Sequence, residues 1–281
     1  MTTTIFFAVL FAAALHASWN ALVKGGGDKV IAMNAVVIGQ GLSGVVALAF
    51  VPLPGWAVFN FMAASVVLHI GYQLFLLQGY KLGDLSQVYP IARGVAPLIV
   101  TVTLVGFLGE SLTRTELIAV GLIILGVMSM SMARQSDGLR NAKAAVFAVG
   151  TGCFIAAYSI VDGYGGRLSD SAVGFYAIVA IVNGAAFPLL TRATMGAGFG
   201  ATARAWRTIL IGGGASFIAY AIVVYAFTQS SIALVTALRE TSIVFAMLIG
   251  ILALGEKMSI TKTVSAITAL GGAVLLRLSK G

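Results

Sequence analysis

A charged pair lies inside one of the most apolar stretches of the chain. Arg239 and Glu240 are the only charged residues between Ser230 and Leu254. An arginine at the centre of a bilayer costs about 2.5–3.5 kcal/mol, so each charge needs a partner on another helix, in a water-filled cavity or on a bound molecule. Neighbouring residues of a helix point about 100° apart, so we expect Arg239 and Glu240 not to contact each other. Arginine binds carboxylates and glutamate can bind an ammonium group, so these side chains suit the recognition of small charged molecules.

A second arginine occurs in SQVYPIARGVAP, a segment that contains two prolines. The prolines remove backbone donors and weaken the helix around Arg93, and Tyr89 lies one turn earlier on the same face. We predict that Arg93 is the cation that pairs with Glu240, while Arg239 points in another direction. Two interpretations of these charges are open: a buried ion pair that fixes helix packing, and the lining of a substrate-binding cavity.

Polar and aromatic residues repeat at helical spacing in two other apolar segments. Both sets have the spacing i, i+3, i+4: His16, Trp19 and Asn20 in one, and His69, Tyr72 and Gln73 in the other. Such a face avoids lipid, either by hydrogen-bonding to a neighbouring helix or by lining a path. With two further tyrosines, the candidate substrate-binding residues are Trp19, Asn20, His69, Tyr72, Gln73, Tyr89, Arg93, Tyr158, Tyr220, Arg239 and Glu240.

Three other acidic residues are interpreted as structural. Asp162 falls near the end of its apolar run and is predicted to be a loop carboxylate. Glu110 and Glu256 precede helices, where a carboxylate stabilises the positive end of the helix dipole, so both are predicted to be helix caps. Glu240 is then the only deep carboxylate and the candidate for carrying a proton, unless a tight pair with Arg93 prevents this.

The composition places these residues in a membrane protein. Of 281 residues, 59% are hydrophobic and only 9% are charged, against about 25% charged in soluble proteins. The formal charge of +8 comes mostly from residues between apolar runs, which favours lipid headgroups over nucleic acid as their partner. The chain has one cysteine and two histidines, and it lacks the spacings typical of metal sites, phosphate loops and catalytic triads. We therefore expect no metal, no cofactor, no catalytic residues and no enzymatic activity.

Apolar runs of about 20 residues, each long enough to cross a bilayer, are separated by short breaks rich in glycine, proline or charge. The first run lacks the basic start of a signal peptide and is predicted to be retained as a helix. The breaks leave no room for a separate soluble domain, so the sequence predicts an all-α, polytopic membrane protein. Its ten predicted spans are 4–23, 29–51, 57–79, 85–108, 114–133, 142–161, 170–191, 206–227, 231–254 and 259–278.

The two halves of the chain repeat each other. GFLGESL in the first half and ALGEKMS in the second both place Gly-Glu between two apolar runs. Superposing Glu110 on Glu256 gives an offset of 146 residues (256 − 110), which also superposes Arg93 on Arg239. An odd number of predicted spans separates the copies, so the halves must have opposite orientations. We predict inverted five-helix repeats at 1–136 and 137–281, with a site between them near the bilayer midplane.

This layout, with a Gly-Glu turn before the last helix of each half, resembles the drug/metabolite transporter superfamily of the EamA type. Trp19-Asn20 in the first helix is similar to the Trp-Gly of that family, with asparagine where glycine is usual. The resemblance covers essentially the whole chain. It implies a multi-pass secondary transporter of small metabolites in the bacterial cytoplasmic (inner) membrane, with YddG-like amino-acid export as the leading function. Drugs, sugars and phosphorylated compounds are the alternative substrates, because the family includes such members.

Two other functional classes fit the sequence less well. An intramembrane enzyme needs a clustered nucleophile or metal ligands, and an assembly scaffold is expected to have a long loop or tail for partners. The expected partners are therefore a small-molecule substrate and membrane lipids, and the chain is compatible with a monomer or an oligomer. The orientation is open: a cytoplasmic N-terminus is usual in the family, yet it puts four basic loop residues inside and eleven outside, against the positive-inside rule.

Overall fold

The computed structural model describes residues 1–24, 27–83, 85–130, 141–254 and 259–279, and these ranges contain helices and connecting turns but no β-strand. A 3-10 turn (Trp56–Val58) precedes α3, and a π-helical turn (Thr208–Gly213) precedes α9. The α-helices of the described residues are α1 (Thr3–Lys24), α2 (Lys29–Ala47), α3 (Phe59–Leu82), α4 (Leu85–Gly106), α5 (Arg114–Ser129), α6 (Ala142–Leu168), α7 (Ala172–Met195), α8 (Phe199–Arg204), α9 (Gly214–Gln229), α10 (Ile232–Arg239), α11 (Ser242–Leu254) and α12 (Ile260–Leu278).

Nine segments of the described residues are long and apolar enough to cross a membrane, so the chain is an integral, multi-pass membrane protein. One of them, Ile232–Leu252, combines α10 with most of α11. The remaining predicted span corresponds to α5, in which 16 residues are described as helical, slightly fewer than the roughly 17–25 that a span needs. The prediction of an all-α membrane protein is confirmed for the described residues, and nine of the ten predicted spans have a counterpart there.

The sixth span is longer than predicted. α6 continues to Leu168, past the predicted end at 161, although its last turns contain three glycines. Packing gives the reason, because a methyl group at Gly165 would lie 2.6 Å from the Phe175 ring. The glycines allow α6 to approach its neighbours closely, and this tight packing compensates for their low helix propensity. The extension places Asp162 inside the helix.

The ninth predicted span is not one continuous helix. α10 ends at Arg239, α11 begins at Ser242, and Glu240 and Thr241 form a turn between them. Every residue from 232 to 244 is buried, so the break lies inside the protein. Membrane proteins tolerate non-helical backbone only where protein covers it or where it lines a cavity. The break is therefore the first structural indication of a functional site.

Small residues set the closest helix contacts. α2 packs against α7, and α5 packs against α12. A methyl group at Gly126 of α5 would lie 2.5 Å from the backbone N of Ala269, and one at Gly272 of α12 would lie 2.7 Å from the carbonyl O of Ala119. The two backbones thus touch directly, as glycine permits between membrane helices. α6 also packs against α3 and α4, and α1 packs against α9 and α11.

α5 is capped by Thr113 and Glu116. The Thr113 hydroxyl accepts a hydrogen bond from the backbone N of Glu116 at 3.2 Å, and the Glu116 carboxylate accepts one from the backbone N of Thr113 at 2.9 Å. This reciprocal capping box occupies the N-terminus of the helix, so the predicted capping role of Glu110 is wrong. The other predicted cap, Glu256, lies outside the described residues, as does the predicted boundary at 136/137.

Candidate functional site

The break between α10 and α11 brings three charged side chains together. Nη1 of Arg93, on α4, donates to Oε2 of Glu240 at 3.0 Å, and Nε and Nη2 of Arg239 each donate to Oε1 of Glu240 at 3.2 Å. All three side chains are buried, and that of Glu240 is 0% exposed. We call Arg93, Arg239 and Glu240 the charged centre. Two guanidinium groups share one carboxylate, so the centre has one excess positive charge.

The contact predicted between Arg93 and Glu240 is confirmed, whereas the prediction that Arg239 points away from Glu240 is wrong. That prediction assumed a continuous helix, on which neighbouring side chains diverge. Because α10 ends at Arg239, Glu240 leaves the regular helical path, and the two neighbouring side chains converge. The helix break is therefore what allows one carboxylate to contact both arginines.

Two aromatic side chains complete the surroundings of Arg93. Nε2 of His16, on α1, contacts Nη2 of Arg93. The Tyr89 ring centre lies 5.1 Å from the Arg93 guanidinium carbon, within cation–π range, and the buried Tyr89 hydroxyl has no hydrogen-bond partner among the described residues. Asn20 instead donates to the His16 carbonyl of its own helix at 2.8 Å. Tyr89 thus lies beside the charged centre, whereas the hydrogen bond of Asn20 stays within α1.

A cavity of about 50 Å³ lies among α1, α2, α3, α6, α7 and α9, and we call it the aromatic cavity. Trp19 and the polar face of the third span line this cavity together. A buried water needs about 10–15 Å³ of such space, so the cavity has room for a few waters. Six of the predicted binding residues line it: Trp19, His69, Tyr72, Gln73, Tyr158 and Tyr220.

The aromatic wall separates the cavity from the charged centre. The His69 ring stacks on Tyr158 with centroids 4.2 Å apart, and Tyr158 meets Tyr220 edge-on at 5.7 Å. The guanidinium carbon of Arg239 lies 5.9 Å from the Tyr158 centroid and 5.8 Å from the Tyr220 centroid. Arg93, Arg239 and Glu240 are not among the residues that line the cavity. Side chains thus lie between the arginines and the cavity: Tyr158 and Tyr220 beside Arg239, and His16, which lines the cavity and contacts Arg93.

Polar atoms of two cavity-lining residues are left without partners. Nε1 of Trp19 and Oε1 of Gln73 are buried and have no hydrogen bond to any described residue. Most buried polar groups in proteins are hydrogen-bonded, so such orphans call for a water or a ligand that supplies the missing partner. The cavity thus offers one unused donor and one unused acceptor.

Asp162 is buried inside α6, so its predicted place in a loop is wrong. Its side chain is 0% exposed, the Tyr220 hydroxyl donates to Oδ2 at 2.7 Å, and Nε2 of His69 lies 3.9 Å from the same oxygen. Glu240 is therefore not the only deep carboxylate. The spacing of Asp162 four residues after Tyr158 was the signal for a shared helix face, but the glycines that follow pointed to a loop.

Two further parts of the cavity wall were missed from the sequence. Tyr176 of α7 lines the cavity, and so do Gln40 and Ser216, which are joined by a hydrogen bond of 2.7 Å from Gln40 Nε2 to Ser216 Oγ. Ser216 lies four residues before Tyr220, so helical spacing does place these two on one face, whereas Gln40 and Tyr176 are single polar or aromatic residues in apolar runs and give no such signal. Among the described residues, no group of three or more His, Cys, Asp or Glu side chains is placed to hold a metal ion.

No family model and no curated protein matches this chain. A solved structure described only as "Crystal structure of protein" is similar to it, with a TM-score of 0.78 over 100% of both chains and a sequence identity of 16%. At this identity the likeness shows the fold alone. The helical arrangement of the whole chain therefore has a counterpart among solved structures, and the function must be inferred from the site.

Proposed function

We propose that this protein is a secondary transporter that moves small zwitterionic metabolites, above all amino acids, out of the cell across a bacterial inner membrane by alternating access. The observation that carries the proposal is the charged centre at the break between α10 and α11, directly behind the wall of the aromatic cavity. Broken helices with charged or polar groups at the break are a common way for secondary transporters to build a binding site near the bilayer midplane. Ionisable residues within membrane spans are functional by default.

The unused polar groups of the site match a small zwitterion. The excess positive charge of the charged centre leaves guanidinium capacity for a substrate carboxylate, which arginine can bind through two hydrogen bonds once the helices separate and the tyrosine rings between cavity and arginines move apart. The orphaned atoms of Trp19 and Gln73 supply a donor and an acceptor at the cavity wall. The tyrosine rings supply contact area for an apolar side chain and a face for an ammonium group. We therefore place amino acids with aliphatic or aromatic side chains first among the substrates.

The cavity volume fits a closed state in the proposed cycle. Its roughly 50 Å³ is far below the about 300–1,000 Å³ of typical ligand pockets, so a substrate needs the helices around it to separate. Rocking of one half of the protein against the other around a fixed site would open the cavity to one side of the membrane and then to the other.

We propose further that the halves are inverted repeats, and the contacts between α5 and α12 support this. A methyl group at Gly126 would meet the backbone N of Ala269 at 2.5 Å, and one at Gly272 would meet the backbone N of Ile123 at 2.9 Å. At the offset of 146, position 123 corresponds to 269 and position 126 corresponds to 272. Exchanging the corresponding positions turns the first contact into the second, as a two-fold axis between the halves requires. Rising numbers on α5 meet falling numbers on α12, so the helices are antiparallel and the axis lies in the membrane plane.

The contact between α2 and α7 gives independent support. Gly41 faces the carbonyl O of Ala180 and Cα of Gly184, and Gly184 faces the carbonyl O of Val37 and Cα of Gly41. With an offset of 143 (184 − 41), Gly41 corresponds to Gly184 and Val37 corresponds to Ala180. Exchanging the corresponding residues turns each of these contacts into the other, so this contact is also reciprocal. Likewise, α6 packs against α3 and α4 as α1 packs against α9 and α11, which is the pattern expected when the first half is exchanged with the second.

Flux in proteoliposomes tests the transport function. Vesicles containing the purified protein are loaded with an unlabelled amino acid, and exchange uptake is measured for a panel of radiolabelled amino acids. We expect exchange well above that of empty vesicles for at least one aliphatic or aromatic amino acid. Arg239→Gln removes the charged hydrogen bond that Arg239 is proposed to make to the substrate carboxylate. Such a bond is worth about 1.5–3 kcal/mol, so the exchange rate should fall about tenfold or more.

The matched control is Arg192→Gln, because Arg192 is an exposed arginine in the last turn of α7. It should exchange at the wild-type rate. If folded wild-type protein exchanges no amino acid of the panel, amino-acid transport is refuted. Exchange of a phosphorylated sugar instead would keep the transport function and replace the substrate class.

A further inference from the structure

We propose that Asp162 is the proton-binding site of the transporter, that His69 passes the proton between Asp162 and the aromatic cavity, and that this proton is the ion coupled to substrate movement. The inference rests on the proposed transport function and adds a coupling ion and its site. It is carried by an incompletely bonded buried carboxylate, by the position of His69 between that carboxylate and the cavity, and by the two arginines that bind both oxygens of the other buried carboxylate, Glu240.

Asp162 lacks the partners that a buried carboxylate requires. Its Oδ2 atom accepts one hydrogen bond, from the Tyr220 hydroxyl at 2.7 Å. Its Oδ1 atom is buried and accepts no hydrogen bond from the described residues, although the Ser65 hydroxyl faces the carboxylate and lies 3.3 Å from Nδ1 of His69. An ionised carboxylate has about four acceptor sites, and burying it without a counter-charge is strongly unfavourable. A proton removes the charge without any rearrangement of the helices, so this position is suited to gaining and losing one.

Glu240 has no free oxygen for the same role. Its Oε2 atom accepts from Arg93, and its Oε1 atom accepts twice from Arg239. Three of its about four acceptor sites are thus used, all by guanidinium groups, whereas Asp162 accepts the one bond from Tyr220. The sequence made proton carriage by Glu240 conditional on the absence of a tight pair with Arg93, and the pair is present. Of the two buried carboxylates at the site, Asp162 is therefore the one with room for a proton.

His69 connects Asp162 to the cavity. Its Nδ1 atom lies 3.0 Å from the Ser65 carbonyl O, and an Nδ1–H group that donates there leaves Nε2 as the nitrogen able to accept a proton. Nε2 lies 3.9 Å from Oδ2 of Asp162, and the His69 ring lines the cavity. Proton transfer requires these two atoms to approach to hydrogen-bond distance, about 3.2 Å or less.

The loading step conserves charge and protons. Nε2 of neutral His69 accepts a proton from a hydronium ion in the cavity, which becomes water, and His69 becomes imidazolium. The Nε2–H bond then breaks while an O–H bond forms on the ionised Asp162 carboxylate, and His69 returns to its neutral form. The reverse sequence unloads the proton when the cavity faces the other side of the membrane.

The groups that face Asp162 explain how substrate and proton influence each other. They come from five helices: Ser65 and His69 of α3, Tyr158 of α6, Tyr176 of α7, Tyr220 of α9 and Arg239 of α10. Arg239 is a permanent charge, and its guanidinium group lies over the Tyr158 and Tyr220 rings. A substrate carboxylate bound to Arg239 changes the electrostatic potential at Asp162. Substrate and proton are thus coupled without touching each other.

Infrared difference spectroscopy tests proton binding independently of transport. The purified protein is titrated with pH while the carbonyl stretch of a protonated carboxylic acid is followed. We expect an acid band that titrates in the wild type, is absent from Asp162→Asn and is retained in Asp170→Asn, which removes an exposed carboxylate. His69→Gln should keep the band but slow its response to a pH jump. Identical acid bands in the wild type and Asp162→Asn would overturn the proposal.

Proteoliposomes test the coupling, with the labelled amino acid that exchanges fastest in the flux assay. One pH unit across the membrane should drive about a tenfold accumulation for each coupled proton, together with proton flux reported by an entrapped pH dye. Asp162→Asn should lose accumulation and proton flux while it still exchanges labelled for unlabelled amino acid, and Asp170→Asn should accumulate like the wild type. Accumulation by Asp162→Asn, or wild-type exchange that ignores the pH gradient, would overturn the proposal.

The infrared and proteoliposome experiments distinguish a failure of the proposed transport function from a failure of proton binding at Asp162. If the wild type exchanges no amino acid, the proposed transport function fails, while the infrared bands still decide whether Asp162 binds a proton. Asn at 162 keeps an oxygen that can accept from Tyr220, so the variant is expected to fold. If it does not, the response of His69→Gln to the pH jump decides, because a rate equal to that of the wild type would contradict proton transfer through His69.

Discussion

Removing Glu240 should destabilise the protein far more than removing Arg93, although the two form one ion pair. In Arg93→Gln, Glu240 keeps both hydrogen bonds from Arg239. In Glu240→Gln, both arginines lose the carboxylate that they share, and two buried guanidinium groups remain without a counter-charge. The asymmetry follows from the arrangement of two cations around one anion and is absent from a simple pair.

The charged interactions that each variant removes set the expected magnitudes. Removing one partner of a buried ion pair costs about 3–5 kcal/mol when the other charge is left unpaired, so Glu240→Gln should lie at the upper end of this range. Arg93→Gln loses a charged hydrogen bond, which contributes about 1.5–3 kcal/mol. In the double variant Arg93→Gln/Glu240→Gln, Arg239 no longer faces a second unpaired arginine. Its loss of stability should therefore be about 1–3 kcal/mol smaller than the sum of the losses in the two single variants.

Equilibrium unfolding of the detergent-solubilised variants measures these differences, with Arg192→Gln as the control for loss of an exposed arginine. Equal destabilisation by Arg93→Gln and Glu240→Gln would mean that Arg239 does not hold Glu240 in solution. Strictly additive losses in the double variant would mean that Arg93 and Glu240 do not meet. Either result would refute the shared-carboxylate arrangement.

Two further predictions concern the helix packing and the cavity. Gly272→Ala should destabilise the protein by about 1–3 kcal/mol, because its methyl group would lie 2.7 Å from the α5 backbone. Gly271→Ala is the control: a methyl group there meets nothing within 4 Å, so the variant should be neutral or slightly stabilised. Equal unfolding curves for the two variants would contradict the contact between α5 and α12. Trp19 should report substrate binding, so its fluorescence should change when the transported amino acid is added to a protein in which the exposed tryptophans are replaced (Trp56→Phe and Trp206→Phe). Unchanged emission at saturating substrate would place the substrate outside the aromatic cavity.

Much of the fold could be predicted from the sequence because the length of an apolar run is set by the bilayer. Runs of about 20 residues identify spans without any knowledge of tertiary contacts, and α1 and α2 begin within one residue of the predicted starts at 4 and 29. The end of α6 could not be predicted in this way. Three glycines favour a break when the helix is considered alone, and only the close approach of Phe175 to Gly165 shows why the helix continues.

The site was predictable where it depends on a regular helix and unpredictable where it depends on a break. His69, Tyr72 and Gln73 share a face because helix geometry fixes their directions locally. The turn at Glu240 and Thr241 contains neither glycine nor proline, so the sequence shows no reason to interrupt the span. The convergence of Arg239 and Glu240 therefore could not be derived from spacing.

Local hydrogen bonds explain how this break is stable inside the protein. The backbone N of Glu240 donates to the Ala237 carbonyl and that of Thr241 to the Leu238 carbonyl, both at 3.1 Å, and the Thr241 hydroxyl also donates to Leu238 at 2.7 Å. These i to i−3 bonds tighten the chain into a turn and satisfy the backbone groups at the end of α10. The interruption thus leaves few unpaired groups in an apolar environment.

The carboxylate of the charged centre has no counterpart in the first half. At the offset of 146, Arg239 corresponds to Arg93, but Glu240 corresponds to Gly94, where a side chain would collide with Met128. Two arginines that correspond at this offset therefore converge on a single carboxylate that belongs to the second half of the sequence. In the proposed cycle the Arg239–Glu240 contact moves with α10 as one unit, while the Arg93–Glu240 contact joins the two halves. Rocking of the halves must act on this second contact, so Arg93 is the arginine whose hold on Glu240 can differ between the two faces of the cycle.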